Sequence, residues 1–343
     1  MPFGTAHSTV TTQDKWIPEI WEDEAIATYM AKTVMRNHVD VNQHAKHKGD
    51  VIHIPNPGRG DASVKAASTQ VTLIADTANE ITVTINKHYE YSKLYEDLAD
   101  ILALNGMKKF YTKDAGYALA RRVDAELHKI MATMQGGSIA GATNLFEKGV
   151  IGGDGSTVFS GASSGNGSAL TDVGLRTAMQ TLEDFDVNTG EAVLVVPPTV
   201  IKTLRGIARF TESAFVGSGD AIKTGRIGNL YGVEVYASSL CPWIHCNSVT
   251  NTQSVNFSST TLTTSYVDEF GFTVDWATST PTDTKYRACA LLHQDAMTLY
   301  EAQSVRVQQQ YKQEYLGYLV TADCIFGTAE LRDYAGISLI VPA

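Results

Sequence analysis

Three features of this chain predict an α+β fold with one long helix and several long strands. The last third, Lys285 to Val341, alternates apolar and polar residues through Val305 and Val307. It then crosses a Tyr/Gln/Glu-rich turn, resumes strand character from Tyr315 to Phe326, and ends in an apolar strand after Gly327. Met107 to Met134 carries one uninterrupted helical stripe that stops at Gly136-Gly137. Between them, from Thr171 to Leu240, helix and strand signals alternate as in a compact mixed α/β unit.

Composition sets the bounds. At 343 residues the chain suits about two compact subdomains, taking roughly 150 residues per domain. With 43% hydrophobic and 19% charged residues it has ample core-forming material. No apolar run approaches the roughly 20 residues of a membrane span. The opening MPFGTAHSTVTTQDKW lacks the basic-then-apolar order of a signal peptide, so the chain is expected in the cytosol where it is made. Four scattered cysteines, Cys241, Cys246, Cys289 and Cys324, do not make a disulfide framework. Cys241 and Cys246, with His245 between them, miss zinc-finger and zinc-ribbon spacing. A net charge of −10 argues against a sequence-independent nucleic-acid binder, whose affinity comes from Lys and Arg neutralising phosphates.

The elements follow in order. Residues 1–45 begin polar and then carry WIPEIWEDEAIATYMAKTVM, where Ile20, Glu24, Ile26 and Met30 to Val34 suggest a short helix in an arm that packs elsewhere. Gly49 to Pro57 is a short strand ended by prolines, Gly58 to Asp76 is loose, and Glu80 to Tyr91 is a period-2 strand with Ile81, Val83, Ile85, Lys87 and Tyr89 on one side. Such a hairpin, about twenty residues out and back at about 3.3 Å each, would project on the order of 50 to 65 Å. That is too far to pack on its own domain.

Tyr91 to Leu104 places Leu94, Leu98, Ile101 and Leu102 at helical spacing, with Ser92 as N-cap. The helix from Met107 to Met134 would be about 42 Å long at 1.5 Å per residue. Its apolar stripe leaves Arg122 with Glu126, and Asp124 with His128, one turn apart on the polar side. Gly106 and Gly116 are where a bend in this beam would be cheapest. Gly136 to Ser168 is Gly/Ser-rich loop, Thr171-Asp172 opens a helix to about Phe185, and Ala192 to Val196 is a buried strand ended by Pro197-Pro198. VIKTLRGIARF reads as another helix, and IGNLYGVEVYASSL as a Gly turn feeding a strand. Asn247 to Thr284, rich in Ser and Thr, reads as an insertion in that unit.

Catalytic and ligand motifs are weak. Gly161-Ala162-Ser163-Ser164-Gly165 matches the G-x-S-x-G elbow, and His293 lies downstream of several Asp. An elbow needs a strand running straight into a helix, and Asn166-Gly167-Ser168 delays that helix. A serine hydrolase is thus the remote alternative, to be revived only if a fluorophosphonate probe labels Ser163. His38, His44 and His47 with Asp40 and Asp50 fit neither one helical face nor a two-residue ligand step, and Lys46 and Lys48 would repel a cation. Arg59-Gly60-Asp61 is turn chemistry in a Gly-rich apex. Lys223-Thr224 lacks the phosphate-loop register after Gly217 and Gly219. Asp97 and Asp100 read as surface or inter-subunit charge. No catalytic residue, cofactor or metal is expected.

The order of arm, hairpin, helix, beam helix, α/β unit and strand platform resembles the tailed-phage major capsid protein over nearly the whole chain. Strings that carry the likeness are GDVIHIPNPG, NEITVTINKHYEYSKLYED, AVLVVPPTVIKTLR, GRIGNLYGVEVYASS, LLHQDAM and ADCIFGTAELRDYAGISLI. The resemblance implies an N-arm at 1–45, an E-loop at 46–90 and a peripheral domain beginning at 91–170 with its spine helix at 107–134. An axial domain at 171–284, with the insertion at 247–284, and peripheral strands at 285–343 complete it.

Function would then be assembly into pentamers and hexamers of an icosahedral shell around double-stranded DNA. Trp16, Ile20, Trp21, Arg59, Asp61, Lys65, Lys87, Arg122 and Glu126 are the candidate inter-subunit contacts. DNA would be held without sequence-specific contact, behind a wall that weakly repels it. A portal protein is a further expected partner, and a decoration or cement protein would be accommodated. The E-loop strand starts by Val51, which leaves no room for a fused scaffold and implies a separate scaffolding protein. Lys65 is the one evident cross-linking lysine of the E-loop, with no placed acidic catalyst, so no covalent cross-link is expected. The alternative of the same fold is an encapsulin-type nanocompartment, which DNA inside particles would exclude.

Overall fold

A computed structural model describes residues 33–43, 49–57, 60, 62–71, 73, 78–96, 107–132, 134, 151–155, 159, 165–207, 229–247, 252–256, 266–267, 273–274 and 283–343. A 3₁₀ turn, Met35–His38, leads into β1 (Asp40–Gln43). A hairpin of β2 (Val51–Pro57) and β3 (Ala78–Thr84) is followed by β4 (Lys87–Glu96) and the long helix α1 (Met107–Met131). After the short β5 (Ile151–Gly152) come α2 (Asp172–Asp184), β6 (Val193–Val196), α3 (Pro198–Arg205), β7 (Asn229–Leu230) and β8 (Val233–Ala237). Strands β9 (Trp243–Asn247), β10 (Thr252–Asn256), β11 (Tyr266–Val267) and β12 (Thr273–Val274) precede β13 (Asp283–Leu292). The chain ends with β14 (Met297–Lys312), β15 (Gly317–Glu330) and β16 (Gly336–Pro342).

Two large sheets take up most of these strands, while β2 with β3 and β11 with β12 form two-stranded sheets. The platform has the order β1-β14-β15-β4, and the larger sheet runs β10-β9-β13-β6-β8-β7 with β16 and β5 alongside β13. Along β6, Val193 and Val195 join the core under α1, while Leu194 and Val196 join the core under α2 and α3. Strand β13 divides the same way: Ala288, Ala290 and Leu292 face one core, Cys289 and Leu291 the other. A sheet covered on both faces must be apolar on both, which is why VLVV is continuous rather than alternating. Helix α2 starts where expected because Thr171 Oγ1 accepts Gly174 N at 3.0 Å, satisfying a first-turn N–H.

Several expectations are corrected. Tyr91 to Glu96 is strand, not the first turns of a helix. Ten consecutive positions of β4 pair antiparallel with β15, from Lys87 opposite Phe326 to Glu96 opposite Gly317, and that ladder overrides the local helical spacing of Leu94. Residues 97–104 lie outside those described. The single strand expected from Glu80 to Tyr91 is interrupted at Ile85-Asn86, so its two halves serve different sheets. Strands β13 and β16 join β6 and β8 in one sheet, so the expected boundary at residue 284 cuts through a sheet rather than between units. Finally, Asp124, Glu126 and His128 are not on a solvent face: they are 0%, 3% and 0% exposed. Helix α1 is clasped between the two sheets, so its polar side is interior as well.

Candidate assembly surface

The β2–β3 hairpin forms a two-stranded sheet of its own, in register from Val51 opposite Thr84 to Pro57 opposite Ala78. Its root is anchored: Val83 is fully buried, and Ile85 N donates to Asp50 O at 2.7 Å. Its apex is not. Residues 62–71 are exposed throughout, and Val64, Val71 and Leu73 are 100%, 60% and 89% exposed. Apolar side chains held in water on a projecting element gain free energy only by being covered. Between the hairpin strands and the body lies an open cleft of about 1180 Å³, lined among others by Ile54, Glu80, Phe185, His293, Arg332 and Tyr334.

The far end of the platform is a second exposed apolar region. Val305, Val307, Tyr311, Tyr315, Leu316 and Tyr318 are each at least 39% exposed, with Tyr311 and Tyr318 stacked edge to face at 5.0 Å. Arg306 holds Asp323 through two bonds, Nε to Oδ1 at 3.0 Å and Nη2 to Oδ2 at 2.8 Å. This fork keeps the Asp323 carboxyl below its usual range and fixes β14 against β15 just past the register shift at Gln303.

Three predicted contact residues, Lys87, Arg122 and Glu126, meet inside the subunit. Lys87 Nζ donates to Glu126 Oε2 at 2.6 Å and to Thr328 Oγ1 at 2.8 Å. Tyr89 Oη donates to Glu126 Oε1 at 2.7 Å, and Arg122 Nη2 donates to Tyr89 Oη at 3.2 Å from a position over its ring. Burial, then the Glu126 carboxylate, pushes the Tyr89 phenol up to about 12, so it remains a donor. The cluster staples the platform to α1. Lys65 is exposed near the hairpin apex, and Gly116 sits within α1. Trp16, Ile20, Trp21, Arg59, Asp61 and Gly106 lie outside the described residues.

A buried Asp–His–Ser chain went unseen in the sequence. His128 Nε2 lies 2.8 Å from Ser238 Oγ, and His128 Nδ1 lies 3.6 Å from Asp124 Oδ2. The arrangement mimics a hydrolase triad, yet Ser238 is 2% exposed and its Oγ already accepts Leu240 N at 3.2 Å, so no substrate reaches it. Ser163, the elbow candidate, lies outside the described residues, and His293 faces Glu191 and Asp295 at 3.5 and 3.9 Å. Among the described residues, no three His, Cys, Asp or Glu side chains converge to hold a metal. No described helix is long and apolar enough to cross a membrane.

Comparison with known proteins shows the fold and the family. No curated protein matches the chain. Solved structures of low identity share its fold. One is from Mycobacterium phage Che8, with a TM-score of 0.65 at 18% identity over 94% of this chain and 97% of that one. The capsid structure of cyanophage P-SCSP1u gives 0.67 at 16% over 96% and 94%. The mature capsid of bacteriophage PhiM1 gives 0.65 at 14% over 95% and 92%. Residues 23–334, which include the platform, the larger sheet except β16, the long helix and the hairpin, match the family described as phage capsid protein. With most of its length matched, the chain belongs to the phage capsid protein family.

Proposed function

We propose that this chain is the major capsid subunit of a tailed phage, closing as pentamers and hexamers into an icosahedral shell around double-stranded DNA. The observation that carries this reading is the β2–β3 hairpin, a sheet of two strands whose apex exposes Val64, Val71 and Leu73. Lattice interfaces of roughly 2,000 Å² or more need such surface, and an extension supplies it without enlarging the core. The hairpin lies over a sister copy, and Trp16, Ile20 and Trp21 of the N-terminal arm add apolar contact to another. A net charge of −10 suits a wall that confines DNA without gripping it. A separate scaffolding protein would template the shell, a portal would occupy one vertex, and a cement protein would find footing on the exposed platform tip.

Removing Arg59 to Ser68 tests the assignment. The expected product is a folded, soluble subunit that forms no shells by negative-stain microscopy. Normal particles from that deletion would overturn the role given to the hairpin. Particles that enclose enzyme cargo instead of DNA would overturn the phage shell in favour of a nanocompartment.

A further inference from the structure

The root of the N-terminal arm is pinned by a side chain from far along the chain. Val34 caps the 3₁₀ turn Met35–His38 without a side chain able to serve the cap. Asp124 of α1 does so instead: its carboxylate accepts Met35 N at 2.7 Å and Val34 N at 3.2 and 3.3 Å. Asp124 is fully buried, so it depends on these donors; their departure would strand a carboxylate in the interior.

The same residue continues into the larger sheet. His128 Nδ1 lies 2.7 Å from the Asp124 carbonyl oxygen, and with Nδ1–H donating there, Nε2 accepts the Ser238 hydroxyl. Ser238 follows directly on β8, and Arg287 Nη2 fixes the next residues by donating to Ser239 O at 3.0 Å and Cys241 O at 2.7 Å. A second tie runs in parallel, since the His38 ring lies 4.4 Å from that of Tyr236 in β8. Arm root, spine helix and the exit of β8 thus form one closed circuit of contacts.

We infer that the Asp124–His128–Ser238 chain is a mechanical linkage, through which the seating of the N-terminal arm on a neighbouring copy sets the position of the β6–β8 edge of the larger sheet and of the helices packed on it. The linkage itself stands on the intrachain geometry, and its consequence for the lattice rests on the shell function proposed above. Each link is short, buried and directional, so displacement at one end is felt at the other. A subunit that must fit both five-fold and six-fold rings needs such coupling, because arm and ring contacts have to change together.

Hydrogen exchange on the full-length subunit tests it. Ser238→Ala is expected to speed exchange not only at Leu240 but also at Val34 and Met35, by about tenfold, the loss of roughly one hydrogen bond's protection. Asp124→Asn should act reciprocally on Leu240. Acceleration at Val34 and Met35 absent from Ser238→Ala would overturn the linkage. Should either variant fail to fold, His38→Leu, at a half-buried position, interrupts the parallel tie and is expected to loosen both ends; an effect on one end only would count equally against it. In assembled material, Ser238→Ala should change the distribution of particle sizes. Coupled amides in a wild-type protein that never forms shells would refute the proposed function and keep the linkage. Uncoupled amides in normal shells would do the reverse.

Discussion

Lys87 Nζ sits 2.6 Å from Glu126 Oε2, joining the first residue of β4 to the C-terminal part of the spine helix. Glu126 is nearly buried, and its other oxygen is taken by Tyr89. Replacing Lys87 by Met leaves that carboxylate with the more distant Arg122, whose Nη2 lies 3.8 Å from Oε1, as its remaining cation. The expected loss is about 2 to 4 kcal/mol, at the lower end because the Lys87 side chain keeps 22% exposure. Urea unfolding of the unassembled subunit measures it. The double variant Lys87→Met, Glu126→Leu should recover much of the loss, since an apolar pair removes the stranded charge. A double variant weaker than either single one would show that the pair itself, not the orphaned charge, supplies the stability.

Acid stability turns on His128. Complete burial lowers its pKa below the ordinary 6.5, against the opposing pull of Asp124 and with a further push from Arg287. The folded subunit therefore takes up this proton less readily than the unfolded chain. The contribution is fully present above about pH 6.5 and is lost as pH falls below it, at up to about 1.4 kcal/mol per pH unit for one proton. His128→Gln keeps a polar group in place without a titration. Its stability should fall less steeply between about pH 6.5 and 5 than that of wild type; identical slopes would mean the ring takes up its proton as readily in the folded subunit as in the unfolded chain.

How far the sequence foretold this molecule depends on which interaction decided each part. The spine helix, the terminal long hairpin and α2 were legible because local pattern and tertiary burial agree there: the stripe through Leu119, Val123 and Leu127 is the buried one. Residues 91–96 were misread because a strand ladder with β15 outweighs the helical spacing of Leu94, and pairing partners over two hundred residues away leave no local trace. The charged residues of α1 were misplaced for a related reason. A one-helix pattern assigns polar residues to water, but over Val123–His128 the helix is buried all round, and Asp124, Glu126 and His128 are satisfied by groups contributed from Met35, Lys87 and Ser238. Alternating helices and strands gave away the mixed α/β unit, yet the recruitment of β13 and β16 into its sheet is purely topological.

Gly327 marks where the projecting hairpin joins the platform. A Cβ there would lie 2.6 Å from Thr84 O and 3.1 Å from the Ile85 Cα, both backbone atoms that cannot turn aside. Gly327→Ala is expected to cost about 1 to 3 kcal/mol by overpacking and to tilt the hairpin root. The useful readout is a comparison: shell yield should fall further than the loss of subunit stability explains, because the apex is displaced by more than the root. Equal effects on thermal unfolding and on shell yield would confine the role of Gly327 to packing.

Gly116 poses the opposite case. It lies inside α1, and a Cβ added there meets nothing within 4 Å. Glycine in a helix interior costs about 0.5 to 1 kcal/mol relative to alanine, so packing gives no reason for its presence. Gly116→Ala should raise subunit stability by about that amount in urea unfolding. If the spine bends at this point as a shell expands, the same substitution should slow expansion, followed by light scattering or by particle diameter over time. The bend concentrates where backbone freedom is greatest, and an alanine narrows it. A stabilised subunit whose shells expand at the wild-type rate would place the flexing elsewhere, with Gly106 as the next position to replace.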